Sequence, residues 1–340
     1  MPPSPDELRL WSRRLPLLIT GVTGVAGYAA LRHFQSLFPG RVVGLRPPKT
    51  PMPGRDIVPV AAEDRRTLEE LFRVWRFRSV LNAVGNCALK SCELDPAMAE
   101  RLNVGSAEAV AAATRGARLV HLSSDLVFAG REAGGYREDD PPDPVTVYGR
   151  TMAIGESVVR ESAPEAATLR ISLPMGPSFN GHAGAIDWID SRFRAGRPAT
   201  LYYDEVRTPT YVDCLNRVFA RLLTGDHAGL YHAGGPRRVT LNQIGQIVNR
   251  VGGYPPELLR GCLRHEAGPV PPRAGNVTMD GTRLSLALQE ERPFLPWPAE
   301  EELVPDGRDW HRRRPPGEPA GFRRIAERLY RPGCEGSAGA

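Results

Sequence analysis

The first half of the chain switches repeatedly between short apolar runs and stretches with helical spacing. Residues 15–20 are an apolar run ending in a glycine-rich turn, and residues 28–38 place apolar side chains three and four apart, as on one face of a helix. Residues 41–45 and 57–60 predict two further strands, residues 68–75 a helix, and residues 79–84 a fourth strand. Residues 96–114 predict one Ala-rich helix and residues 117–122 another strand. A Gly/Pro/Asp-rich loop over 130–144 comes next, then a helix over 147–161 and a strand over 167–173. Parallel strands need helical crossovers, so β–α units repeated at this length predict an α/β fold with a doubly wound parallel sheet.

Beyond residue 173 the pattern loosens. Residues 176–184, 198–210 and 252–276 are loop-rich and sit between shorter helices, as expected of a smaller C-terminal substrate domain interleaved with the last strands. Residues 301–340 are rich in Arg and Pro and predict a tail, disordered in its final residues. No internal repeat is found.

Composition narrows the class. Over 340 residues, 41% apolar and 24% charged residues exclude a wholly disordered or fibrous chain. The net charge of +5 suits phosphate-bearing ligands but is thin for an electrostatic nucleic-acid binder, so no nucleic-acid partner is expected. Lysines occur only at Lys49 and Lys90, so nearly all basic charge is Arg. The five cysteines (Cys87, Cys92, Cys214, Cys262 and Cys334) form no CxxC pair and no metal-spaced cluster, which predicts no disulfide framework, no metal site and a cytoplasmic setting. The N-terminal residues lack an apolar signal core and no apolar run reaches 18 residues, so neither secretion nor membrane spanning is expected.

The candidate chemistry begins at Thr20-Gly21-Val22-Thr23-Gly24-Val25-Ala26-Gly27, where glycines three apart join a strand to a helix. Small residues allow a tight turn and let a pyrophosphate approach the positive end of the helix. Gly21, Thr23, Gly24, Val25, Ala26 and Gly27 are therefore candidate cofactor-binding residues, and residues 15–173 a Rossmann-type NAD(P)-binding domain with a later contribution from about 205–235. Residues 174–204 and 236–300 are left as the substrate-binding region. At the end of the second strand, where an NAD-selective site offers Asp or Glu, the chain has Arg46, which favours NADP(H) over NAD(H).

With Asn82-Ala83-Val84-Gly85 closing the fourth strand, this turn resembles those of extended short-chain dehydrogenase/reductases. His121-Leu122-Ser123-Ser124-Asp125-Leu126-Val127-Phe128 and Tyr148-Gly149-Arg150-Thr151 are similar to segments of the dTDP-4-dehydrorhamnose reductase group. So are residues 135–141, 207–213 and 272–276, and the resemblance runs from about residue 15 to 288. It implies that Ser124 orients a sugar ketone, that Tyr148 protonates it, and that Asn82, Ala83, Val84 and Tyr148 line the cofactor. It also places Asp125, Val127 and Arg207 toward a nucleotide-sugar substrate, Arg207 as a diphosphate ligand or, alternatively, a surface arginine.

The resemblance also implies a lysine four residues after the tyrosine, and the chain has Met152 there. The family lysine lowers the tyrosine pKa and holds the nicotinamide ribose, and a thioether does neither well. Arg150, two residues on, points to another side of the helix. Proton donation from Tyr148 stays available but less driven. Three readings follow: a slow NADP(H)-dependent reductase of a nucleotide-linked 4-keto-6-deoxy sugar in rhamnose-type sugar assembly, a nucleotide-sugar epimerase or dehydratase, or a non-catalytic binding subunit. The last draws on eukaryotic methionine adenosyltransferase regulatory subunits, which also resemble this group and act through partners. A homodimer is a further expectation.

Among lesser signals, Asp64 either meets the adenine or caps the helix beginning near Thr67. His121 reads as a core histidine and His182 as a loop residue. Arg312, Arg313, Arg314, Arg323 and Arg324 read as a solvated tail, since neither interleaved aromatics nor a binding module accompanies them.

Overall fold

The computed structural model describes residues 4–114, 116–131, 133–268, 270–305, 307–313 and 321–331. Helix α1 (Pro5–Ser12) starts in a capping box between Ser4 and Glu7 and packs Trp11 against Phe34 and Phe38. Strand β1 (Leu17–Thr20) and helix α2 (Val25–Leu37) flank the glycine turn. Strands β2 (Val42–Arg46) and β3 (Ile57–Pro59), helix α3 (Arg65–Trp75) and strand β4 (Ser79–Asn82) follow. Asp64 is the N-cap of α3, its carboxylate accepting from the Thr67 amide at 3.1 Å, which is the capping role its sequence position allows.

The helix expected over 96–114 forms without interruption but carries a π-helical turn. After α4 (Leu89–Leu94), α5 (Pro96–Glu100) passes through a π-helical turn at Arg101–Gly105 into α6 (Ser106–Ala113). Uniform Ala-rich spacing gives no sign of such a turn, whose extra residue is set by packing against neighbours.

Strand β5 (Arg118–Ser124), helix α7 (Val147–Ser162) and strand β6 (Ala167–Ile171) complete the regular alternation. The remainder comprises β7 (Pro174–Met175), α8 (Ala185–Arg194), β8 (Ala199–Tyr202), β9 (Val206–Arg207) and β10 (Thr210–Tyr211). Then come α9 (Val212–Thr224), β11 (Gly229–Ala233), β12 (Val239–Thr240), α10 (Leu241–Val251), β13 (Leu259–Cys262), α11 (Thr282–Leu288) and α12 (Gly321–Leu329).

Seven strands form one parallel sheet in the order β11-β6-β5-β4-β1-β2-β3. Side chains alternate across it: Leu17 and Ile19 enter the core shared with α2 and α9, whereas Leu18 joins Val43, Val80 and Leu119 beneath α3 and α6. Strand order reverses between β1 and β4, and the carboxyl ends of strands at such a reversal are where open α/β sheets bind ligands. Helix α7 is tied to the sheet by a buried pair, Arg170 donating to both Glu156 oxygens at 2.8 and 2.7 Å while Ser123 donates to the same carboxylate at 2.5 Å.

The C-terminal part departs from the expected tail. Helix α12 buries Ile325 and Leu329, and Leu329 O accepts from Trp297 Nε1 at 2.9 Å. Its apolar spacing is helical, so the segment folds onto the body despite its arginines. Arg312 and Arg323 sit in exposed ion pairs with Asp309 and Glu327. Arg314 and the Gly-Ser-Ala end lie outside the described residues.

Candidate active site

The glycine turn packs directly on the end of β4. Gly21 has φ +65°, and a Cβ there would fall 2.2 Å from Ala83 O; a Cβ on Gly27 would fall 2.3 Å from Gly21 O. Both positions therefore need glycine, one for conformation and space and the other for space alone. Gly24, the N-cap of α2, is exposed and provides no side-chain cap, which leaves the first amides of α2 open to an anion. A cradle closed to side chains but open at a helix N-terminus fits a dinucleotide pyrophosphate. Thr23 is half-buried beside it, and Val25 and Ala26 are buried.

Asn82, expected to line the cofactor, has another task. It is fully buried, accepts from Thr20 Oγ1 at 2.6 Å, and its Nδ2 lies 3.0 Å from His121 Nδ1. Its side chain thus ties β1, β4 and β5 together at their carboxyl ends, while Ala83 and Val84 are the half-buried residues that continue toward the cleft. Burial holds His121 well below the ordinary histidine range, at about 4. At the end of β2, Arg46 Nη1 donates to the carbonyls of Pro47, Pro48 and Thr50 at 3.2, 3.1 and 2.8 Å, holding the guanidinium over the 47–50 loop.

Ser124 ends β5 and Tyr148 opens α7, so two separate elements bring their hydroxyls to the same place, where Ser124 Oγ donates to Asp125 Oδ1 at 3.3 Å and lies near enough to the phenol to lower its pKa. Thr146 caps α7, accepting from the Gly149 amide at 2.9 Å, and so sets where its first turn stands. Burial pushes the Tyr148 phenol well above its ordinary range. The Cys87 thiol and the Asp125 carboxylate add to that shift, while Ser124 and Arg207 oppose it. From the Cβ position that Gly85 lacks, Met152 Sδ and Cε are each 3.6 Å away and Tyr148 Oη is 3.7 Å away. Met152 therefore occupies the tyrosine's own side of the helix, as the four-residue spacing requires, and brings no charge to it. Gly85 is exposed, while Tyr148 and Met152 behind it are buried.

Asn103, absent from the candidates, fixes this corner. It lies in the π-helical turn, accepts from the Asn86 amide at 2.8 Å and donates to Thr151 Oγ1 at 2.8 Å; Thr151 in turn donates to Tyr148 O at 2.9 Å. One buried amide thus sets the loop carrying Gly85 against the first turn of α7. A lone Asn within an Ala-rich helical stretch was the only sequence signal for it.

The expected substrate contacts are rearranged. Arg207 is neither a surface residue nor a free phosphate ligand: it is buried and donates to Asp125 Oδ2 and Oδ1 at 2.8 and 2.6 Å. Asp125 is wholly buried and also accepts from Ser172 Oγ at 2.6 Å, so its oxygens are spent inside the protein rather than on a ligand. Glu205 lies 3.3 Å from Arg207 and 3.8 Å from Arg273. Val127 has no exposed surface and packs with Phe128 and Val277, so it is core rather than a substrate contact. His182 is an exposed residue of the 176–184 loop. Among the described residues no group of three or more His, Cys, Asp or Glu could hold a metal, and no helix is long and apolar enough to cross a membrane.

A parallel sheet with a glycine cradle at its reversal point, and a Ser–Tyr pair one strand away, is the architecture of the extended short-chain dehydrogenase/reductases, NAD(P)-dependent oxidoreductases. Within that class the chain belongs to the RmlD substrate binding domain family, whose model matches residues 15–297. Among curated relatives, a probable low-salt glycan biosynthesis reductase, Agl14 of Haloferax volcanii, is 28% identical over 282 residues, covering 82% of this chain and 93% of its own. Methionine adenosyltransferase 2 subunit beta of Xenopus laevis is 27% identical over 298 residues, covering 85% of this chain and 87% of its own. Among solved structures, dTDP-4-dehydrorhamnose reductase of Bacillus anthracis in complex with NADP shares the fold with a TM-score of 0.70 at 20% identity, covering 84% of this chain and 96% of that one. UDP-glucose 4-epimerase of Thermotoga maritima does so with a TM-score of 0.72 at 19% identity, covering 84% and 95%.

Proposed function

We propose that this chain is an NADP(H)-dependent reductase of a nucleotide-linked 4-keto-6-deoxy sugar, slowed by the absence of a cation beside its tyrosine. The observation that carries this reading is the placement of the Ser124 and Tyr148 hydroxyls together where β5 meets α7, with Tyr148 Oη facing the exposed Gly85. Two hydroxyl donors converging on one point suit a carbonyl oxygen that gains negative charge. Ser124 orients that oxygen by hydrogen bonding, and Tyr148, held in its protonated form by burial, delivers the proton to it. Bound nicotinamide supplies the hydride. Gly21, Gly24 and Gly27 hold the pyrophosphate, and Met152 flanks the ribose without a charge. Arg46 at the end of β2 supports NADP(H) through its affinity for a 2′-phosphate. The substrate class is supported by the names of the relatives, a glycan biosynthesis reductase and dTDP-4-dehydrorhamnose reductases.

Met152 and the methionine adenosyltransferase subunit relatives favour a second reading, a cofactor-binding subunit that acts through a partner. Fluorescence titration of the purified protein with NADPH and NADH tests the cofactor assignment common to both readings. Micromolar binding of NADPH, tighter than NADH, is the expected result. Failure of both cofactors to bind at millimolar concentration would overturn it.

A further inference from the structure

The segment that follows the family-matched residues reaches back to the cleft through a continuous set of buried contacts. Tyr330, just past α12, is 4% exposed, and its hydroxyl donates to Asp187 Oδ1. Asp187 stands in the first turn of α8 and is 1% exposed; its other oxygen accepts from the Ser178 amide at 2.7 Å and the Ser178 hydroxyl at 2.5 Å. Ser178 Oγ in turn accepts from the Ala183 amide at 3.2 Å, so one carboxylate closes the 176–184 loop on itself. The far end of that loop touches the cofactor cradle. Gly184, at φ +91°, sits so close to Val25 that a Cβ would fall 2.5 Å from Val25 Cγ2, and Val25 is the first residue of α2 after the glycine turn.

We propose that Tyr330 and Asp187 are positioning residues for the cofactor cleft: the C-terminal segment holds the 176–184 loop against the glycine turn, and cofactor affinity depends on that hold. The inference rests on the reading of the glycine turn as a dinucleotide site. Its physical basis is the asymmetry of a buried carboxylate. With Tyr330 in place both oxygens are satisfied and α8 has one stable placement. Without the hydroxyl, Oδ1 faces the protein interior unpaired, and α8 must shift or admit water to satisfy it. Because Gly184 is packed against Val25, such a shift is felt at the amides that meet the pyrophosphate. The apolar anchoring of α12 through Ile325 and Leu329 does not involve the hydroxyl, so hold and anchor can be separated.

The test compares Tyr330→Phe and Asp187→Asn in the full-length protein, by hydrogen exchange of residues 176–184 and by NADPH affinity. In Tyr330→Phe, exchange in the loop is expected to accelerate while β5 and α7 keep wild-type protection. NADPH affinity should fall by about tenfold, the equivalent of one charge-assisted hydrogen bond. Asp187→Asn should keep affinity within about threefold of wild type, because its amide still accepts from Ser178 and donates to the Tyr330 oxygen. Unchanged loop exchange in Tyr330→Phe, or acceleration spread evenly over the whole chain, would overturn the proposal. So would a loosened loop with wild-type NADPH affinity. If wild-type protein bound no dinucleotide, the cofactor assignment would fail and with it this role of the loop, while the exchange comparison would separately show whether Tyr330 holds the loop.

Discussion

Replacing Met152 with Lys restores a cation at the one place in the site where the structure has an uncharged side chain beside the acid. The end of Met152 and Tyr148 Oη both lie within 3.7 Å of the Cβ position that Gly85 lacks, which puts the end of a lysine side chain at this position within roughly 7 Å of the phenolic oxygen. At an effective dielectric of about 20, a unit charge at that distance favours the phenolate by about 2 kcal/mol, or about two pKa units. Burial and the neighbouring acidic groups now hold Tyr148 above its ordinary range, so wild-type ketone reduction should proceed at a rate that stays flat into alkaline solution. In Met152→Lys the acid ionises at lower pH, so the rate should show an alkaline fall about two units earlier and rise by about 10- to 100-fold near neutrality. Single-turnover oxidation of NADPH across a pH series reads both changes, with Met152→Lys/Tyr148→Phe as the control that abolishes them. A profile that neither shifts nor gains rate, in a variant that still binds NADPH, would refute the assignment of Tyr148 as the proton donor.

Three further outcomes are expected. Arg207→Ala strands the buried Asp125 carboxylate and should cost about 3–5 kcal/mol of stability in urea denaturation; a loss below about 1 kcal/mol would place the residue at the surface after all. His121 and His232 are both held near 4 in the folded state by burial, against an ordinary value of 6.5. The unfolded chain then binds more protons between those values, so stability should be full above pH 6.5 and fall by about 1.4 kcal/mol per unit per histidine as the pH drops toward 4. His121→Asn should remove one proton from that slope. Arg46→Asp should weaken NADPH and favour NADH, and an unchanged ratio of the two dissociation constants would remove Arg46 from the cofactor site.

What the sequence made legible follows from the range of the interactions involved. Apolar periodicity located the sheet strands through β6 and their crossover helices because burial on both faces is written locally, in runs such as residues 17–20 and 118–124. The glycine turn was legible for the same reason, being carried by a few adjacent positions, whereas Ser124, Tyr148 and Met152 stood out only through the family resemblance. Arg207 was misread because its partner Asp125 lies 82 residues away, and a salt bridge over that separation leaves no local pattern. The π-helical turn holding Asn103 escaped because its cause is contact with Thr151 and Asn86, not the identity of its own neighbours. Helix α12 was hidden by composition: arginines and prolines around it suggest a tail, whereas Ile325 and Leu329, four apart, form a packed face.

Wild-type protein and Tyr148→Phe, each shown to bind NADPH, should be compared for NADPH oxidation with a panel of dTDP-linked 4-keto-6-deoxy sugars. Slow turnover by the wild type, lost in Tyr148→Phe, is expected of a reductase that has kept its proton donor and lost its cation. Bound NADPH that no sugar of the panel oxidises, or equal turnover by both proteins, would contradict it and favour a partner-binding role.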